Sequence, residues 1–233
     1  MVRAYHVDTS VGQCLSQSRP VGTAFDSRIA FDACPEAGIV GIRVKQMGDV
    51  AGMNIAVLGA GPIGNLVAQT AKGMGAAKVM ITDISDLRLA KAKECGIDVC
   101  VNTKNKDFGE AMIEAFGPDK ADVIYDCAGN NITMGQAIKY ARKGSTIVLV
   151  AVFAGMAEVD LAVANDHELD IKSTMMYRHD DYIDGIRLVN EGKVHLKPLI
   201  SKTFAFKDYL KAYQYIDDNR ETTMKVIINV SEK

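Results

Sequence analysis

The sequence lacks the features that mark membrane and nucleic-acid proteins. No stretch approaches the roughly 18–20 consecutive apolar residues that a membrane-spanning helix needs, and residues 1–10 lack the apolar core of a signal peptide. The 27 basic and 29 acidic residues leave a formal net charge of −2, and like charges never form a long block. We therefore expect a cytoplasmic protein that binds neither nucleic acid nor a membrane surface.

Cysteine and histidine are few, and their spacing indicates no metal site. The five cysteines form no C-x-x-C pair, and their odd number does not suggest a disulfide framework. His6 and Cys14 are eight residues apart, and the remaining histidines, at positions 167, 179 and 195, are scattered. From the residues alone we therefore predict buried or exposed thiols and imidazoles without a metal ion.

The chain does contain a glycine fingerprint. Residues 55–64 read Ile-Ala-Val-Leu-Gly-Ala-Gly-Pro-Ile-Gly, which is typical of a buried strand, a tight turn and the start of a helix. Gly59 permits the turn, Gly61 lets the backbone approach a pyrophosphate, and Gly64 lets the helix pack on the strand. Asp83 follows nineteen residues after Gly64 and closes the next strand. This order predicts dinucleotide binding, with the pyrophosphate at the helix N-terminus.

Two charged residues refine the predicted ligand. The Asp83 carboxylate is suited to accept hydrogen bonds from the adenosine ribose and to repel a 2′-phosphate, which favours NAD over NADP. Its alternative role is a local cap for the helix that starts near Ser85. Arg88 lies one turn into that helix. We expect its guanidinium to lie over the face of the adenine ring, and the alternative is an arginine that is simply exposed to solvent. For the glycine turn, the alternative is that the glycines are needed only for steric reasons and no nucleotide binds.

From residue 54 onward, strand-like and helix-like segments alternate with short connections. This alternation predicts an α/β fold with a doubly wound parallel sheet, the Rossmann fold. The predicted strands span residues 55–58, 78–83, 99–101, 123–126, 145–152, 170–175 and 225–230. We also predict helices near 36–48, 63–74, 108–116, 182–190 and 206–216, a looser stretch at 154–165 and extended chain at 198–204.

We expect three parts in the chain and a second half to the cofactor site. Residues 1–35 form an irregular arm, residues 36–195 the dinucleotide-binding domain, and residues 196–233 a C-terminal strand, helix and strand. Residues 126–129 and 150–152 end two neighbouring strands at the carboxyl edge, where doubly wound sheets bind ligands. We expect them to line the nicotinamide end, with ordinary strand-end packing as the alternative.

The motifs together resemble one enzyme family. Residues 56–64, followed by Thr-Asp-Ile-Ser at 82–85 and Arg-Leu-Ala-Lys-Ala-Lys at 88–93, resemble the coenzyme domain of zinc-dependent medium-chain alcohol dehydrogenases. The sorbitol (polyol) dehydrogenase branch is most similar, with butanediol and threonine dehydrogenases next. The resemblance extends over about residues 36–230 and includes Asp-Cys-Ala-Gly at 126–129 and Val-His-Leu-Lys-Pro-Leu-Ile at 194–200.

The resemblance implies NAD-dependent oxidation of a polyol or secondary alcohol to a ketone, by a homo-oligomer. It also implies a set of residues that contact NAD: Gly59, Gly61, Pro62, Ile63, Gly64, Asp83, Arg88, Val150, Ala151, Val152, Thr174, Met175 and Met176. Tyr177 would face the substrate, and Glu36 would lie near the zinc ion. The branch often has Arg-Tyr where this chain has Met-Tyr-Arg at 176–178, and a glycine where this chain has Ala151.

In that family the zinc ligands belong to a β-rich, GroES-like catalytic domain that precedes the coenzyme domain. This chain has no room for such a domain, so residues 1–35 are expected to be at most its frayed end. Zinc is thus expected in the intact family enzyme, while its ligands are not found here. The alternatives that stay open are a catalytically inactive NAD-binding fragment, a threonine or butanediol dehydrogenase-like enzyme, and a module for another nucleotide. A short-chain reductase is less favoured because Tyr140 is followed at position 144 by glycine and not lysine.

Overall fold

The computed structural model of the protein describes residues 29–31, 44, 48–176 and 178–230. Most of the predicted arm at 1–35 and of the predicted helix at 36–48 lies outside these residues, as do Glu36 and Tyr177. In chain order the elements are β1 (Ile29–Phe31), β2 (Asn54–Leu58), α1 (Pro62–Gly73), β3 (Lys78–Asp83), α2 (Asp86–Glu94), β4 (Val99–Asn102), α3 (Phe108–Phe116), β5 (Val123–Asp126), α4 (Asn131–Tyr140), β6 (Thr146–Leu149), α5 (Leu161–Asp166), β7 (Asp170–Ser173), α6 (His179–Asn190), β8 (Ile200–Ala205), α7 (Tyr209–Asp218) and β9 (Lys225–Asn229).

Six of these strands form one parallel sheet in the order β4-β3-β2-β5-β6-β7. The chain runs outward from β2 to β4, then returns to place β5 on the other side of β2. All strands therefore end at one carboxyl edge, and the order reverses between β2 and β5. This arrangement confirms the predicted doubly wound fold, and such a reversal is where open α/β sheets bind ligands.

The strands read as continuous apolar runs because both faces of the sheet are covered. Along β2, Ile55 and Val57 face a cluster formed with α1 and α2, whereas Ala56 and Leu58 face a second cluster formed with α3 and α4. All four side chains are at most 1 % exposed. This alternation follows from the two-residue period of a strand, and it fixes which residues can reach the carboxyl edge.

Two predicted strands extend too far. The predicted strand at 145–152 ends at Leu149, because the N–H groups of Val150 and Ala151 both donate to the carbonyl of Asp126, at 2.9 and 3.0 Å, which ends the ladder. The predicted strand at 170–175 ends at Ser173. The stretch at 154–165, predicted as loose, contains the start of α5, where the Asp160 side chain accepts a hydrogen bond from the N–H of Val163.

The described residues fall into two compact units. One lies within residues 37–199 and contains the six-stranded sheet, and the other combines β1 with the residues from Ile200 onward. In the second unit β1, β9 and β8 form a parallel sheet, with Ala212 and Ile216 of α7 packed on Val226 and Ile228 of β9. The strands and helix predicted in this part are present, with β8 ending at residue 205 and β9 at residue 229.

In the described part of the chain, no helix has both the length and the apolar character that crossing a bilayer requires.

Candidate cofactor-binding site

Two of the fingerprint glycines are required by the fold itself. Gly59 has φ +96°, where a side chain is strained, and an added Cβ would lie 3.2 Å from the Cβ of Ala128. At Gly64 an added Cβ would lie 1.8 Å from the carbonyl oxygen of Gly59, because α1 packs directly on the turn that precedes it. Both positions therefore keep their glycines for geometric reasons, whether or not a ligand binds.

Gly61 differs from these two. Its φ is −63°, which any residue adopts, and an added Cβ would meet no atom of the described residues within 4 Å. The described part of the fold thus has no need of glycine here and leaves the space above the turn open. A bare backbone beside open space is what close approach of a pyrophosphate requires.

The N-terminus of α1 opens onto the same space. Gly61 is the N-cap residue, Pro62 has no N–H group, and no side chain in the described part of the chain caps this end. The N–H of Asn65 already donates to the carbonyl of Gly61 at 2.9 Å. The N–H groups of Ile63 and Gly64 are therefore the first-turn donors suited to an anion, and the helix dipole favours negative charge there.

Asp83 stands behind the glycine turn with a carboxylate that is almost fully buried. Its Oδ2 accepts a hydrogen bond from the N–H of Ala60 at 2.7 Å, and its Oδ1 accepts from the N–H groups of Ile84 and Ser85 at 2.8 and 2.9 Å. A carboxylate offers about four acceptor positions, of which three are thus taken by backbone groups. One position, on Oδ2, is left for a ribose hydroxyl or for Arg88.

The Arg88 side chain lies beside this carboxylate. Its Nη1 is 3.7 Å from Asp83 Oδ2, and about a third of the side chain is exposed. Its Nε is buried without a hydrogen-bond partner among the described residues. The alternative role predicted for Asp83, a cap for α2, is filled in part by Ser85, whose Oγ accepts from the N–H of Arg88 at 3.5 Å. The geometry therefore joins the glycine turn, Asp83 and Arg88 into one corner of the carboxyl edge.

A second corner is built around Asp126, at the end of β5. Its carboxylate is fully buried, and Oδ1 accepts hydrogen bonds from the N–H groups of Ala128 and Gly129, both at 3.0 Å. Its Oδ2 accepts from the hydroxyl of Thr133 at 3.3 Å. Residues 126–129 are expected at the site from the sequence, but no distinct role for Asp126 and no role for Thr133 were predicted. The signal was available, because Asn130 and Thr133 have the spacing of a capping box at the start of α4.

The remaining predicted site residues lie on the same edge, beyond β6 and β7. Val150 and Thr174 are buried, and the N–H of Thr174 donates to the carbonyl of Leu149 at 3.0 Å. Val152 and Met176 are each 72 % exposed, and Met175 is more than half exposed. The fold thus brings the predicted residues together along one edge, with the glycine turn on one side of the β2–β5 reversal and residues 150–152 and 174–176 on the other.

Two thiols of the larger unit are poorly suited to react. Burial raises the pKa of both Cys95 and Cys100 to about 11. Both side chains therefore stay protonated near neutral pH, and a protonated thiol is neither a good nucleophile nor a metal ligand.

A catalytic zinc ion needs three protein ligands and an open position. In the ranges 29–31, 48–176 and 178–230, together with residue 44, no group of three or more His, Cys, Asp or Glu side chains could hold a metal ion. These residues therefore do not fit zinc. The glycine turn, the N-terminus of α1 and Asp83 do fit a dinucleotide, since Gly61 leaves open the space that a pyrophosphate would fill.

Comparison with known proteins places these features in one family. The model of the family described as zinc-binding dehydrogenase matches residues 62–191, from the first residue of α1 to just past α6. Sorbitol dehydrogenase 1 of Saccharomyces cerevisiae is 31% identical over 216 residues, which cover 90% of this chain and 59% of that protein. Sorbitol dehydrogenase of Bos taurus is 34% identical over 178 residues, covering 75% of this chain and 50% of the relative.

The fold is similar to solved structures as well. A short chain alcohol dehydrogenase from Escherichia coli CFT073, complexed with NADH, matches with a TM-score of 0.72 and 28% identity. The match covers 82% of this chain and 56% of that one. The chain therefore spans between half and six tenths of the length of these proteins. Because the family match covers more than half of the chain and includes the helix of the glycine turn, Asp83 and the Asp126 corner, the chain belongs to the zinc-binding dehydrogenase family.

Proposed function

We propose that this chain supplies the coenzyme-binding part of an NAD-dependent polyol dehydrogenase, which oxidises a polyol or secondary alcohol to a ketone. The observation that carries the proposal is the open space at Gly61, above the N-terminus of α1 and beside the buried carboxylate of Asp83. The polyol class is supported by the sorbitol dehydrogenases among the relatives, and the NAD class by the NADH complex among the similar structures.

Each half of the cofactor has residues suited to it. The N–H groups of Ile63 and Gly64 would bind the pyrophosphate, the free acceptor position on Asp83 would bind the adenosine ribose, and Arg88 would lie over the adenine. The nicotinamide would lie across the reversal of strand order, against residues 150–152 and 174–176. Each of these residues ends or follows a strand at the carboxyl edge, which gives the extended dinucleotide one continuous surface.

The carboxylate of Asp83 also supports NAD over NADP. A 2′-phosphate carries about −1.5 to −2 charges near pH 7. Placing it against a carboxylate that is almost fully buried would bring like charges together where water screens them poorly. Arg88 offsets only part of this repulsion, because its guanidinium is already 3.7 Å from the same carboxylate oxygen.

Bound NAD would accept a hydride from the alcohol carbon, which is the chemistry that the cofactor supplies. The residues described here would bind and orient it and would shield one face of the nicotinamide. Because they do not fit zinc, no part of alcohol activation is assigned to them. Tyr177 as a substrate-facing residue and Glu36 as a residue near zinc stay predictions, since both lie outside the described residues.

The test is a titration of the purified 233-residue chain with NADH, followed by nicotinamide fluorescence, with NADPH and ADP-ribose in parallel. We expect NADH to bind, and NADPH to bind at least about tenfold more weakly, equivalent to about 1.4 kcal/mol of repulsion. Absence of NADH binding would overturn the proposal, and equal affinity for NADPH would overturn its NAD specificity. Assays of sorbitol, xylitol, butanediol and threonine with added zinc then test the substrate class.

A second candidate function is NAD binding without turnover. It is favoured by the lack, within the described part of the chain, of any side-chain cluster that could hold a metal ion. Both candidate functions predict NADH binding at the same site, and only the results expected in the alcohol assays differ. Turnover of any of the four substrates by the purified chain excludes this second candidate.

Homo-oligomer formation is a further part of the proposal. β7 is the last strand in the order of the larger sheet, and Asp170, Ile171 and Ser173 on it are exposed. An edge strand offers backbone groups with which a second copy could pair. A monomeric mass by light scattering at micromolar concentration would overturn this expectation.

A further inference from the structure

The buried carboxylate of Asp126 organises a loop that touches both halves of the candidate site. Three donors point at it: the N–H groups of Ala128 and Gly129 and the hydroxyl of Thr133. A fully buried carboxylate costs free energy unless such donors compensate it. One buried side chain therefore fixes the backbone N–H groups of Ala128 and Gly129 in the loop at residues 127–129.

This loop has no room to move, because it fits against its neighbours only through small residues. An added Cβ at Gly59 would lie 3.2 Å from the Cβ of Ala128, and one at Gly64 would lie 3.3 Å from the Cβ of Cys127. On the other side, an added Cβ at Gly129 would lie 2.5 Å from the Cβ of Ala151. The loop thus lies between the glycine turn and the chain that follows β6.

The position of β5 decides which half of the cofactor this loop serves. β5 lies next to β2 across the reversal of strand order, and β6 lies next to β5. In doubly wound sheets each half binds one mononucleotide. The glycine turn and Asp83 belong to the half that would bind adenosine, so the loop after β5 belongs to the half that would bind the nicotinamide nucleotide.

We propose that Asp126 is a positioning residue for the nicotinamide end of the cofactor, acting through the loop at 127–129. It does not touch the cofactor, and it sets the loop backbone and the spacing between the glycine turn and Ala151. The inference rests on the proposed function, since it assumes that NAD(H) is the ligand. It goes beyond that function by assigning to a buried side chain a share in the affinity for one end of the ligand only.

The test separates positioning from general stability by comparing two ligands. NADH contains the nicotinamide, whereas ADP-ribose lacks it and retains the adenosine and pyrophosphate. In Asp126→Ala the N–H groups of Ala128 and Gly129 lose their side-chain acceptor, and the Thr133 hydroxyl keeps only the Asn130 carbonyl, 3.2 Å away. We therefore expect the Kd for NADH to rise at least about tenfold, and the Kd for ADP-ribose to rise less than about threefold. A purely structural role would weaken both ligands equally.

Two further variants control for folding. Asp126→Asn keeps an oxygen for the Ala128 and Gly129 N–H groups, and its amide can donate to the Thr133 hydroxyl oxygen, so we expect it to restore the NADH to ADP-ribose ratio to within about threefold of the original. Asp122→Ala is the matched control. Asp122 lies just before β5, at its opposite end, and its Oδ2 accepts from the N–H of Asn54 at 2.8 Å. Asp122→Ala should lower the melting temperature without changing the ratio of the Kd values for NADH and ADP-ribose.

The outcomes are distinguishable. If the unchanged chain binds neither ligand, the proposed function fails and the inference fails with it. If the unchanged chain binds NADH and Asp126→Ala has the same ratio of Kd values for NADH and ADP-ribose as the unchanged chain, only the inference fails. If Asp126→Ala does not fold, Thr133→Val replaces it as the decisive variant, because this change removes the donor to Oδ2 and is nearly isosteric. An unchanged ratio in Thr133→Val would then overturn the inference.

Discussion

The backbone N–H of Ala60 donates to Oδ2 of Asp83 at 2.7 Å, across 23 residues of sequence. The acidic residue that ends β3 thereby holds the glycine turn that follows β2, in addition to its expected role toward a ribose. The glycine turn and Asp83 are thus one hydrogen-bonded unit, although they are separate features of the fingerprint in the sequence.

Replacing Asp83 should affect both stability and cofactor choice. In Asp83→Ser three backbone N–H groups lose a charged acceptor, which should lower the free energy of unfolding by about 2 kcal/mol or more. The repulsion of a 2′-phosphate is lost as well, so the preference for NADH over NADPH should fall about tenfold. Urea unfolding and paired ligand titrations measure the two effects.

The control for this prediction is Asp86→Ala, since Asp86 is exposed in the first turn of α2 and accepts from the Asn102 side chain. It should leave the cofactor preference unchanged. A preference that survives in Asp83→Ser would show that Asp83 serves the glycine turn alone.

Substitution by alanine should have different effects at Gly61 and at Gly64. Gly61→Ala should leave the melting temperature nearly unchanged, since no described atom lies within 4 Å of the new Cβ. It should nevertheless weaken NADH binding at least about tenfold by filling the space for the pyrophosphate. Gly64→Ala should cost about 3 kcal/mol or more of stability, because its Cβ would overlap the Gly59 carbonyl.

Gly135→Ala is the matched control for these two substitutions. Gly135 is exposed on α4, and an added Cβ would meet none of the atoms that the structure describes within 4 Å. Alanine should stabilise the helix by about 0.5–1 kcal/mol and leave NADH binding as it is. Normal NADH affinity in Gly61→Ala would exclude the pyrophosphate from the N-terminus of α1.

Stability should decline in alkaline solution through the buried thiols. Burial raises the pKa of Cys95 and Cys100 from 9.0 to about 11, so the unfolded chain loses these protons first. The contribution of the two protonated thiols to the free energy of unfolding is fully present below pH 9 and is lost as the pH rises towards 11. Burial also raises the pKa of Tyr125 above its usual value of 10, which adds to the loss at the upper end.

The double variant Cys95→Ala with Cys100→Ala should therefore show a flatter dependence of unfolding free energy on pH between 9 and 11. Urea unfolding at a series of pH values measures this slope. Thiol labelling at pH 8 gives an independent check, because both cysteines should react more slowly than a free thiol. Rapid labelling of both would contradict the raised pKa values.

The buried side chain of Gln69 should contribute to the stability of the larger unit. Its Oε1 accepts from the N–H of His195 at 2.6 Å, and its Nε2 donates to the carbonyl of the same residue at 3.2 Å. Gln69→Leu keeps the volume and leaves both backbone groups without this partner, which should cost about 1–3 kcal/mol. Arg187→Ala, which removes an exposed pair with Glu191, should change stability little. Equal losses in the two variants would contradict this account.

Much of the fold was predictable because local patterns specify it. The apolar runs at 55–58, 78–83 and 123–126 coincide with β2, β3 and β5. Strands buried on both faces need such runs, and short connections with intervening helices leave few parallel arrangements. The ends of β6 and β7 were less predictable. Apolar residues continue past them, and what stops β6 is that two N–H groups share the carbonyl of Asp126.

The sequence by itself determined the order along the chain of the six strands of the larger sheet, the turn of Gly59, Gly61 and Gly64, and the placement of Asp83 at a strand end. Only the tertiary structure showed which atoms make these glycines necessary: an added Cβ at Gly59 or Gly64 would meet neighbouring atoms at 3.2 or 1.8 Å, whereas one at Gly61 would meet no described atom within 4 Å. It also decided that Asp126 holds a loop against both the glycine turn and Ala151. The physical reason is that backbone conformation follows from local residue types, whereas close approach between loops depends on the register of strands far apart in the chain.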